Sequence, residues 1–476
     1  MHAAQRERYS LWVHVIIYSF LPRSIYESFR DLFSESFLKA DMNLLHSKSL
    51  SSTLRFKSPE RIYSREISSR LFSIRCCLPF PREKAKHYRE LEVAIDVVQS
   101  ACRICIDVKK SLSLNDGRIV EKNDQTPVTI ADFSVQALIS LELNRSFPSI
   151  PLVAEEDSTF LRSSLTNSIE DKDYASSFLV DSVLAAVIGK ASIESKPLSQ
   201  EDVLNAIDRG GSGAHTFDAK PSTYWVLDPI DGTRGFLKGR KALYVVGLAL
   251  VVEGEIAVGV LGCPNWKEES VSVQGLCSED KIPNISECHA NQAGILMVSH
   301  VGCGTWTRRL SSMLGNMDFL VIHDGWTRCS VDPCAFVYEA RFCIPDSQTW
   351  ESLPLSTIYS STTDMGSSIK DKTKLVLKSV CCGSLCKYLM VAMGMASVFI
   401  LRARMKTVIK VWDHVAGMIC VSEAGGRVTD WKGSDLELAA DKLQRRVIFP
   451  VGGILVTNGA LHNHILQMIS TDSSRV

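Results

Sequence analysis

The sequence has no surplus of charge of either sign. Its 476 residues include 53 lysines and arginines and 53 aspartates and glutamates, which gives a net charge of zero at pH 7. Proteins that wrap nucleic acid or lie on anionic membranes need a basic excess. The balance therefore argues against both classes of partner.

Cysteine is scarce, and long hydrophobic runs are missing. The 15 cysteines among 476 residues are too few for a small disulfide scaffold, so a reducing compartment is expected. The longest early apolar run, 11–21, has about half the length that a membrane helix needs. With 45% apolar and 22% charged residues, the composition is that of a globular protein with a sizeable core.

The first 80 residues differ in composition from the rest. Residues 42–78 contain seven lysines or arginines, nine serines and two glutamates, which is typical of an organelle transit peptide. Residues 1–41 lack this bias, so Met42 is an alternative start. An ordinary basic tail has the same composition. A mitochondrial location is predicted, with the chloroplast as the alternative.

Beyond residue 80, helical and strand patterns alternate. Apolar residues three or four apart predict helices over 84–111 and 130–147. Further helices are predicted at 384–395 and 413–424, and strands at 150–154, 224–227, 243–252, 256–261, 295–299, 335–339 and 398–401. This alternation predicts an α/β layer architecture. We expect an extension over 1–80, a first domain over 81–290 and a second over 291–476.

Acidic residues occur where predicted strands end and where a late helix begins. They are Glu155, Asp228, Asp231 and Asp413. Taken singly, each also fits a solvated turn or a helix N-cap. Clustered carboxylates repel one another unless a cation lies between them, and oxygen donors without histidine or cysteine select Mg²⁺ over Zn²⁺. The co-occurrence of these acids therefore predicts a magnesium site.

The most specific motif is Asp228–Thr233, with the sequence DPIDGT. Two carboxylates three residues apart, with a proline between them, can direct both side chains and the Ile230 carbonyl into one site. Gly232 permits a tight turn, after which a short helix can present free N–H groups to an anion. The Thr233 hydroxyl is then placed to orient a water beside the metals.

Two motifs together, Asp228–Thr233 and Trp412–Gly417 (WDHVAG), resemble the paired signatures of the lithium-sensitive, magnesium-dependent phosphomonoesterases that include inositol monophosphatase. Within that superfamily, the closer resemblance is to the 3'(2'),5'-bisphosphate nucleotidases of the plant organellar type. Three segments carry this closer likeness: 122–132, Thr233–Phe236 (TRGF) and Ser384–Tyr388 (SLCKY).

The resemblance implies a layered α-β-α-β-α sandwich of the inositol monophosphatase or fructose-1,6-bisphosphatase type, with α/β and α+β character. It implies that 81–290 is an α+β domain carrying the metals and that 291–476 is an α/β domain closing over substrate. It also implies two or three Mg²⁺ ions as cofactors and inhibition by Li⁺ and Na⁺. The sequence leaves monomer and homodimer open.

By position, the resemblance also assigns roles to individual residues. The implied metal ligands are Glu155, Asp228, the carbonyl of Ile230, Asp231 and Asp413. Asp132 and Thr233 match the pair that activates the attacking water. The implied substrate contacts are Thr233, Ser384, Lys387, Arg402 and Asp413.

One stretch departs from the family pattern. The nucleotide-binding Gly-x-His-Ser-x-His segment has no counterpart, because residues 339–347 contain no histidine. Basic residues before the second motif are expected either to replace lost phosphate contacts or to form a solvated loop; they are Arg402, Arg404, Lys406 and Lys410.

The leading expectation is a phosphatase that removes the 3'-phosphate of 3'-phosphoadenosine 5'-phosphate, giving AMP and phosphate. An inositol phosphate or polyphosphate phosphatase has the same metal site and is favoured slightly by the missing histidines. A hypothesis from another class is a weakly active nucleotide-binding regulator that keeps the fold.

Overall fold

The computed structural model describes fifteen segments, all within the unit 76–476. They are 78–114, 120–121, 127–128, 130–163, 174–191, 197–214, 222–237, 242–267, 294–310, 325–349, 352–355, 376–380, 383–403, 408–439 and 445–473. The predicted transit segment up to residue 77 and residues 122–126 lie outside the described residues. Within the described segments, no helix combines the length and apolar character needed to cross a bilayer.

The helices include both of those predicted near the start of the globular region. Their bounds are α1 (Tyr88–Leu114), α2 (Ile130–Ser146), α3 (Tyr174–Ile188), α4 (Gln200–Asp208), α5 (Thr233–Leu237), α6 (Leu385–Ala392), α7 (Val415–Glu423) and α8 (His462–Ser473). Helix α2 is buried on nearly every side, because α1, α3 and α4 pack against it together with a strand of the larger sheet.

In the part of the chain that the structure describes, the larger sheet has seven strands, which follow one another in chain order. They are β3 (Leu152–Ala154), β4 (Tyr224–Asp231), β5 (Val245–Val252), β6 (Glu255–Cys263), β7 (Ile295–His300), β8 (Gly304–Arg309) and β9 (Thr327–Arg328). β3 pairs parallel with β4, and every later pair is antiparallel. The division expected at 290/291 therefore falls inside this sheet, between the paired strands β6 and β7.

Within the described segments, the smaller sheet has five strands: β10 (Arg341–Pro345), β11 (Val376–Val380), β12 (Val398–Arg402), β14 (Arg427–Asp430) and β16 (Gly453–Thr457). Their order across the sheet is β11-β10-β12-β16-β14. β10 pairs parallel with both neighbours, whereas β16 pairs antiparallel with both of its own. The remaining strands of the described residues form two short ribbons: β1 (Val120–Glu121) with β2 (Pro127–Val128), and β13 (Ile409–Lys410) with β15 (Val447–Ile448).

The layers follow from side-chain alternation along the buried strands. On β5, Leu248 and Leu250 pack with residues of α1, whereas Ala249 and Val251 belong to the core that contains α6 and α7. Since successive strand residues face opposite sides of a sheet, one sheet is covered on both faces. α6 and α7 also cover the smaller sheet, and α8 packs on its far side. The order is α-β-α-β-α, as the resemblance implied.

One predicted strand is wrong. Residues Val337–Glu339 form a 3-10 helix, and the strand begins only at Arg341. The apolar pattern at 335–339 misleads because Phe336 and Tyr338 are 55% and 50% exposed and stack on each other with ring centroids 5.5 Å apart. The buried alternation that a core strand requires starts with Phe342.

Candidate active site

The first two acids of the site lie at the carboxyl end of β4. The prediction placed this motif after the strand, but β4 continues through Asp231, with a register shift against β5 between Asp228 and Asp231. Pro229 has no N–H to continue the ladder, which suits a bulge at this point. Gly232 then turns with φ 88°, and α5 begins at Thr233. Both carboxylates are buried, at 1% and 5% exposure.

Asp413 meets these two acids from a distant part of the chain. It lies in the turn that leads from β13 into α7 and is partly buried. Asp228, Asp231 and Asp413 each place a carboxylate oxygen within 4.8 Å of the others. We call these three residues the carboxylate triad. Three of the predicted metal ligands therefore converge.

The electrostatics of the triad fit a bound cation. Burial, followed by the negative charges of Glu155, Asp231 and Asp413, raises the pKa of Asp228 well above its usual range. Burial also raises the pKa of Asp413 to about 7, with a further contribution from Asp231. Oδ1 of Asp228 is buried and has no hydrogen-bond partner among the described residues. A buried oxygen-only cluster of this kind suits a hard divalent cation.

Glu155 lies beside the triad rather than inside the tight cluster. It follows β3 directly and is half-buried. Among the charged neighbours of Asp228, Glu155 does most to raise the pKa of that residue. Its neighbour Glu156 is held through its backbone, because Gln136 donates to the Glu156 carbonyl at 2.6 Å and accepts from its N–H at 2.9 Å. The position of Glu155 is thereby tied to α2.

The predicted water-activating pair is also brought together. Asp132 lies in the first turn of α2 and is 1% exposed. The Thr233 hydroxyl lies 3.4 Å from Oδ1 of Asp132 and 3.1 Å from the carbonyl oxygen of Ile230, with Thr233 as the donor to either. The charge of Asp132 also contributes to the raised Asp228 pKa, so the pair adjoins the triad.

The predicted substrate segment contacts the triad through its backbone. The N–H groups of Ser384 and Leu385 donate to the two carboxylate oxygens of Asp231 at 2.9 and 2.6 Å. Gly383 has φ +70°, and a Cβ there would lie 2.3 Å from Oδ2 of Asp231. Lys387 is buried, donates from Nζ to the Gly383 carbonyl, and lowers the Asp231 pKa, although burial raises it overall to about 6.

The described contacts of Arg402 do not reach the triad. It ends β12, and its guanidinium donates to the Ser352 carbonyl at 2.6 Å. Lys410 is closer, since its charge lowers the Asp413 pKa against the dominant effect of burial. Arg404 and Lys406, from the same basic run, lie outside the described residues.

His414, inside the second motif, serves packing. Its Nδ1 lies 3.0 Å from the Tyr388 hydroxyl, and both side chains are buried. Burial, with a smaller contribution from Lys387, lowers the pKa of His414 to about 3. The imidazole is therefore neutral at physiological pH.

Sequence reasoning missed three residues that shape the site. Gly383 permits the close approach to Asp231, Gln136 holds the Glu156 backbone, and Arg446 contacts both the Glu155 carbonyl and the Trp412 ring. The available signal for Gln136 was its spacing of four residues from Asp132, which puts both on one face of α2. Arg446 carries no local signal of this kind.

Residues 87–305 and 338–473 match the model of the inositol monophosphatase family. The chain therefore belongs to this metal-dependent family. An Arabidopsis thaliana relative, provisionally named as a mitochondrial 3'(2'),5'-bisphosphate nucleotidase, is 53% identical over 91% of this chain and 99% of its own. A 3'(2'),5'-bisphosphate nucleotidase from Oryza sativa is 34% identical over 80% of this chain and 93% of its own.

Solved structures from the same family align as well. An inositol monophosphatase from Zymomonas mobilis aligns with a TM-score of 0.45 at 15% identity, over 81% of this chain and 99% of that chain.

Proposed function

We propose that the protein is a Mg²⁺-dependent phosphomonoesterase that removes the 3'-phosphate of 3'-phosphoadenosine 5'-phosphate, giving AMP and phosphate. The carboxylate triad carries this proposal, because its oxygens lie within 4.8 Å of one another in a buried place. Without a cation, such a cluster is electrostatically unfavourable. The relatives named as nucleotidases, at 53% and 34% identity, support the choice of substrate.

Five oxygen donors would hold two or three Mg²⁺ ions. They are the carboxylates of Glu155, Asp228, Asp231 and Asp413 and the carbonyl of Ile230. When bound, Mg²⁺ neutralises phosphoryl oxygens and lowers the pKa of a coordinated water. Monoester hydrolysis needs this help, because it is among the slowest uncatalysed reactions in water.

Asp132 and Thr233 would move the proton of the attacking water. When the Thr233 hydroxyl donates to Asp132, over the observed 3.4 Å, its oxygen can still accept a hydrogen bond from the water. Asp132 can then take a proton through Thr233 as general base. Ser384 and Lys387 remain proposed nucleotide contacts. Because Lys387 is buried and bound to the Gly383 carbonyl, we expect it to act on the nucleotide mainly through its charge.

Phosphate release from three substrates tests the function. Purified protein is assayed with 3'-phosphoadenosine 5'-phosphate, inositol 1-phosphate and inositol 1,4-bisphosphate, each with Mg²⁺ and with EDTA. We expect turnover of the nucleotide that is abolished by EDTA and inhibited by Li⁺. Faster turnover of either inositol phosphate would favour the alternative substrate class. Tight nucleotide binding without turnover would favour the regulator.

A further proposal concerns the location of the protein in the cell. The relative named as mitochondrial covers 91% of this chain, and with the basic, serine-rich stretch at 42–78 it supports import into mitochondria. Mass spectrometry of the mature N-terminus from fractionated mitochondria and plastids tests this proposal.

We also propose that the chain divides into two lobes, one around each sheet. The lobe of the larger sheet binds the metals, and the lobe of the smaller sheet closes over the substrate. The division then falls after β9 rather than at 290/291.

A further inference from the structure

Arg446 joins three parts of the site that are far apart in the sequence. Its Nη1 donates to the Gly210 carbonyl at 2.9 Å, and its Nη2 donates to the Glu155 carbonyl at 3.3 Å. The same guanidinium lies over the Trp412 ring, with Cζ 4.7 Å from the ring centroid. One side chain thus contacts both the Glu155 segment and the residue that precedes Asp413.

The backbone of Arg446 is fixed to the second motif. Its carbonyl accepts the N–H of Val411 at 3.0 Å, and the next residue, Val447, pairs with Lys410 in the β13–β15 ribbon. The segment that contains Glu155 is also held by a backbone hydrogen bond, because the Gly210 carbonyl accepts the N–H of Ala154 at 2.9 Å. The guanidinium therefore spans two segments that are each held by their own backbone bonds.

The charge of Arg446 suits this place. Burial lowers the pKa of the Arg446 guanidinium, and the negative charges of Asp157, Glu155 and Glu156 partly offset this effect. Arginine stays charged in proteins, and only its planar fork can donate to two carbonyls while one face stacks on an aromatic ring. A lysine ammonium at the same position could not reproduce all three contacts.

We infer that Arg446 is a positioning residue: through the Glu155 carbonyl and the Trp412 ring, it sets the distance between Glu155 and Asp413 and hence the affinity for Mg²⁺. This inference rests on the proposed function, in which both acids are metal ligands. Groups that orient metal ligands without touching the metal typically change metal affinity about 10- to 100-fold when they are replaced.

Direct Mg²⁺ titration of the Arg446→Lys variant tests the inference. Isothermal titration calorimetry is run on the metal-free full chain, whose folding is checked by circular dichroism. We expect Mg²⁺ to bind about tenfold more weakly than in the wild type. In phosphate-release assays, the Mg²⁺ concentration for half-maximal activity rises by a similar factor, while KM for the nucleotide at saturating Mg²⁺ changes less than about twofold.

The chain offers a matched control in the neighbouring arginine. Arg445 is buried and lies over the Tyr224 ring, with Cζ 5.0 Å from the centroid. Arg445→Lys also disturbs a buried arginine, and we expect it to lower the melting temperature while leaving Mg²⁺ affinity within about twofold. If Arg446→Lys does not fold, Arg446→Gln replaces it, because a neutral amide avoids burying an unpaired ammonium charge.

The outcomes separate this inference from the function on which it rests. Wild-type Mg²⁺ affinity in the folded Arg446 variant overturns the positioning role and leaves the metal site intact. Equal losses of affinity in the Arg445 and Arg446 variants also overturn it, since a general loss of stability then explains both. A wild-type protein that binds no Mg²⁺ in the same titration contradicts the proposed function itself, and the inference falls with it.

Discussion

The hydroxyl of Thr233 lies 3.4 Å from a carboxylate oxygen of Asp132, although the two residues are 101 positions apart in the chain. The contact joins the first turn of α2 to the start of α5, directly after the bulged end of β4. A hydroxyl in this position can donate to the carboxylate and still accept a hydrogen bond from water.

Replacement of Thr233 by alanine tests the proton path. We expect Thr233→Ala to lower kcat about 10²-fold or more, the scale of general acid–base catalysis, with little change in Mg²⁺ affinity. Thr233→Ser keeps the hydroxyl and should retain most of the activity. Both are measured by steady-state phosphate release at saturating Mg²⁺. Wild-type kcat in the alanine variant would exclude the hydroxyl from the path.

Asp228→Asn should separate function from stability. Asp228 is buried among other carboxylates, and Oδ1 has no hydrogen-bond partner among the described residues. Asparagine cannot ionise, so it removes the free-energy cost of either burying this charge or protonating this carboxyl in the metal-free protein, and we expect a higher melting temperature in EDTA at neutral pH. The same change should lower Mg²⁺-dependent turnover about 10³-fold or more. A lower melting temperature in EDTA, or retained turnover, would contradict the assignment.

The stability of the metal-free protein should depend on pH because the pKa values of buried carboxyl groups are raised. Asp413 has a pKa of about 7 in the fold, against 3.8 as its ordinary value. The folded state therefore holds a proton that the unfolded chain releases between about pH 4 and 7, so this contribution stabilises the fold at low pH and is lost as pH rises through that window.

Buried histidines change the stability of the fold with pH in the opposite direction to Asp413. The effect of Asp413 must therefore be measured as a difference between the wild type and a variant that lacks this carboxyl group. The pKa of His414 is lowered to about 3 and that of His462 to about 4, so their contributions grow as pH rises toward 6.5. We expect wild-type melting temperature in EDTA, relative to Asp413→Asn, to fall from pH 5 to pH 8. A difference that stays constant with pH would contradict the raised Asp413 pKa.

Gly383 offers a test of close packing at the triad. An alanine Cβ there would lie 2.3 Å from Oδ2 of Asp231, so we expect Gly383→Ala to displace this carboxylate and to lower both turnover and Mg²⁺ affinity at least tenfold, as for other changes that misplace metal ligands. Gly213 is the matched control, since it has φ +80° but nothing within 4 Å of an added Cβ. Gly213→Ala shares the backbone strain and should keep full activity.

The sequence predicts this site well where short-range chemistry determines it. The DPIDGT motif contains two triad members, a turn glycine and the Thr233 hydroxyl within six residues, and the buried strand that carries it has a clear apolar pattern. Asp413 is grouped with them only by its place at the start of a predicted helix and by the family resemblance, because no local pattern reports that a residue 182 positions after Asp231 returns to the same place.

The contacts that hold the site are harder to predict. Arg446 and Gln136 act on backbone carbonyls, and any residue has a carbonyl, so the sequence does not mark the partner. Phe336 and Tyr338 cause the opposite error, a strand predicted where the structure has none. An exposed aromatic pair has the same apolar pattern as a buried strand. Both cases depend on long-range packing, which the order of residues along one segment does not reveal.

Anomalous diffraction from crystals soaked in Mn²⁺ tests the central claim most directly. Mn²⁺ accepts the same oxygen ligands as Mg²⁺ and scatters anomalously. We predict a peak among Asp228, Asp231 and Asp413, within bonding distance of at least one carboxylate oxygen of each, with Glu155 bound to the same ion or to a neighbouring one. Mn²⁺ peaks confined to other parts of the surface, with the triad empty, would contradict the account.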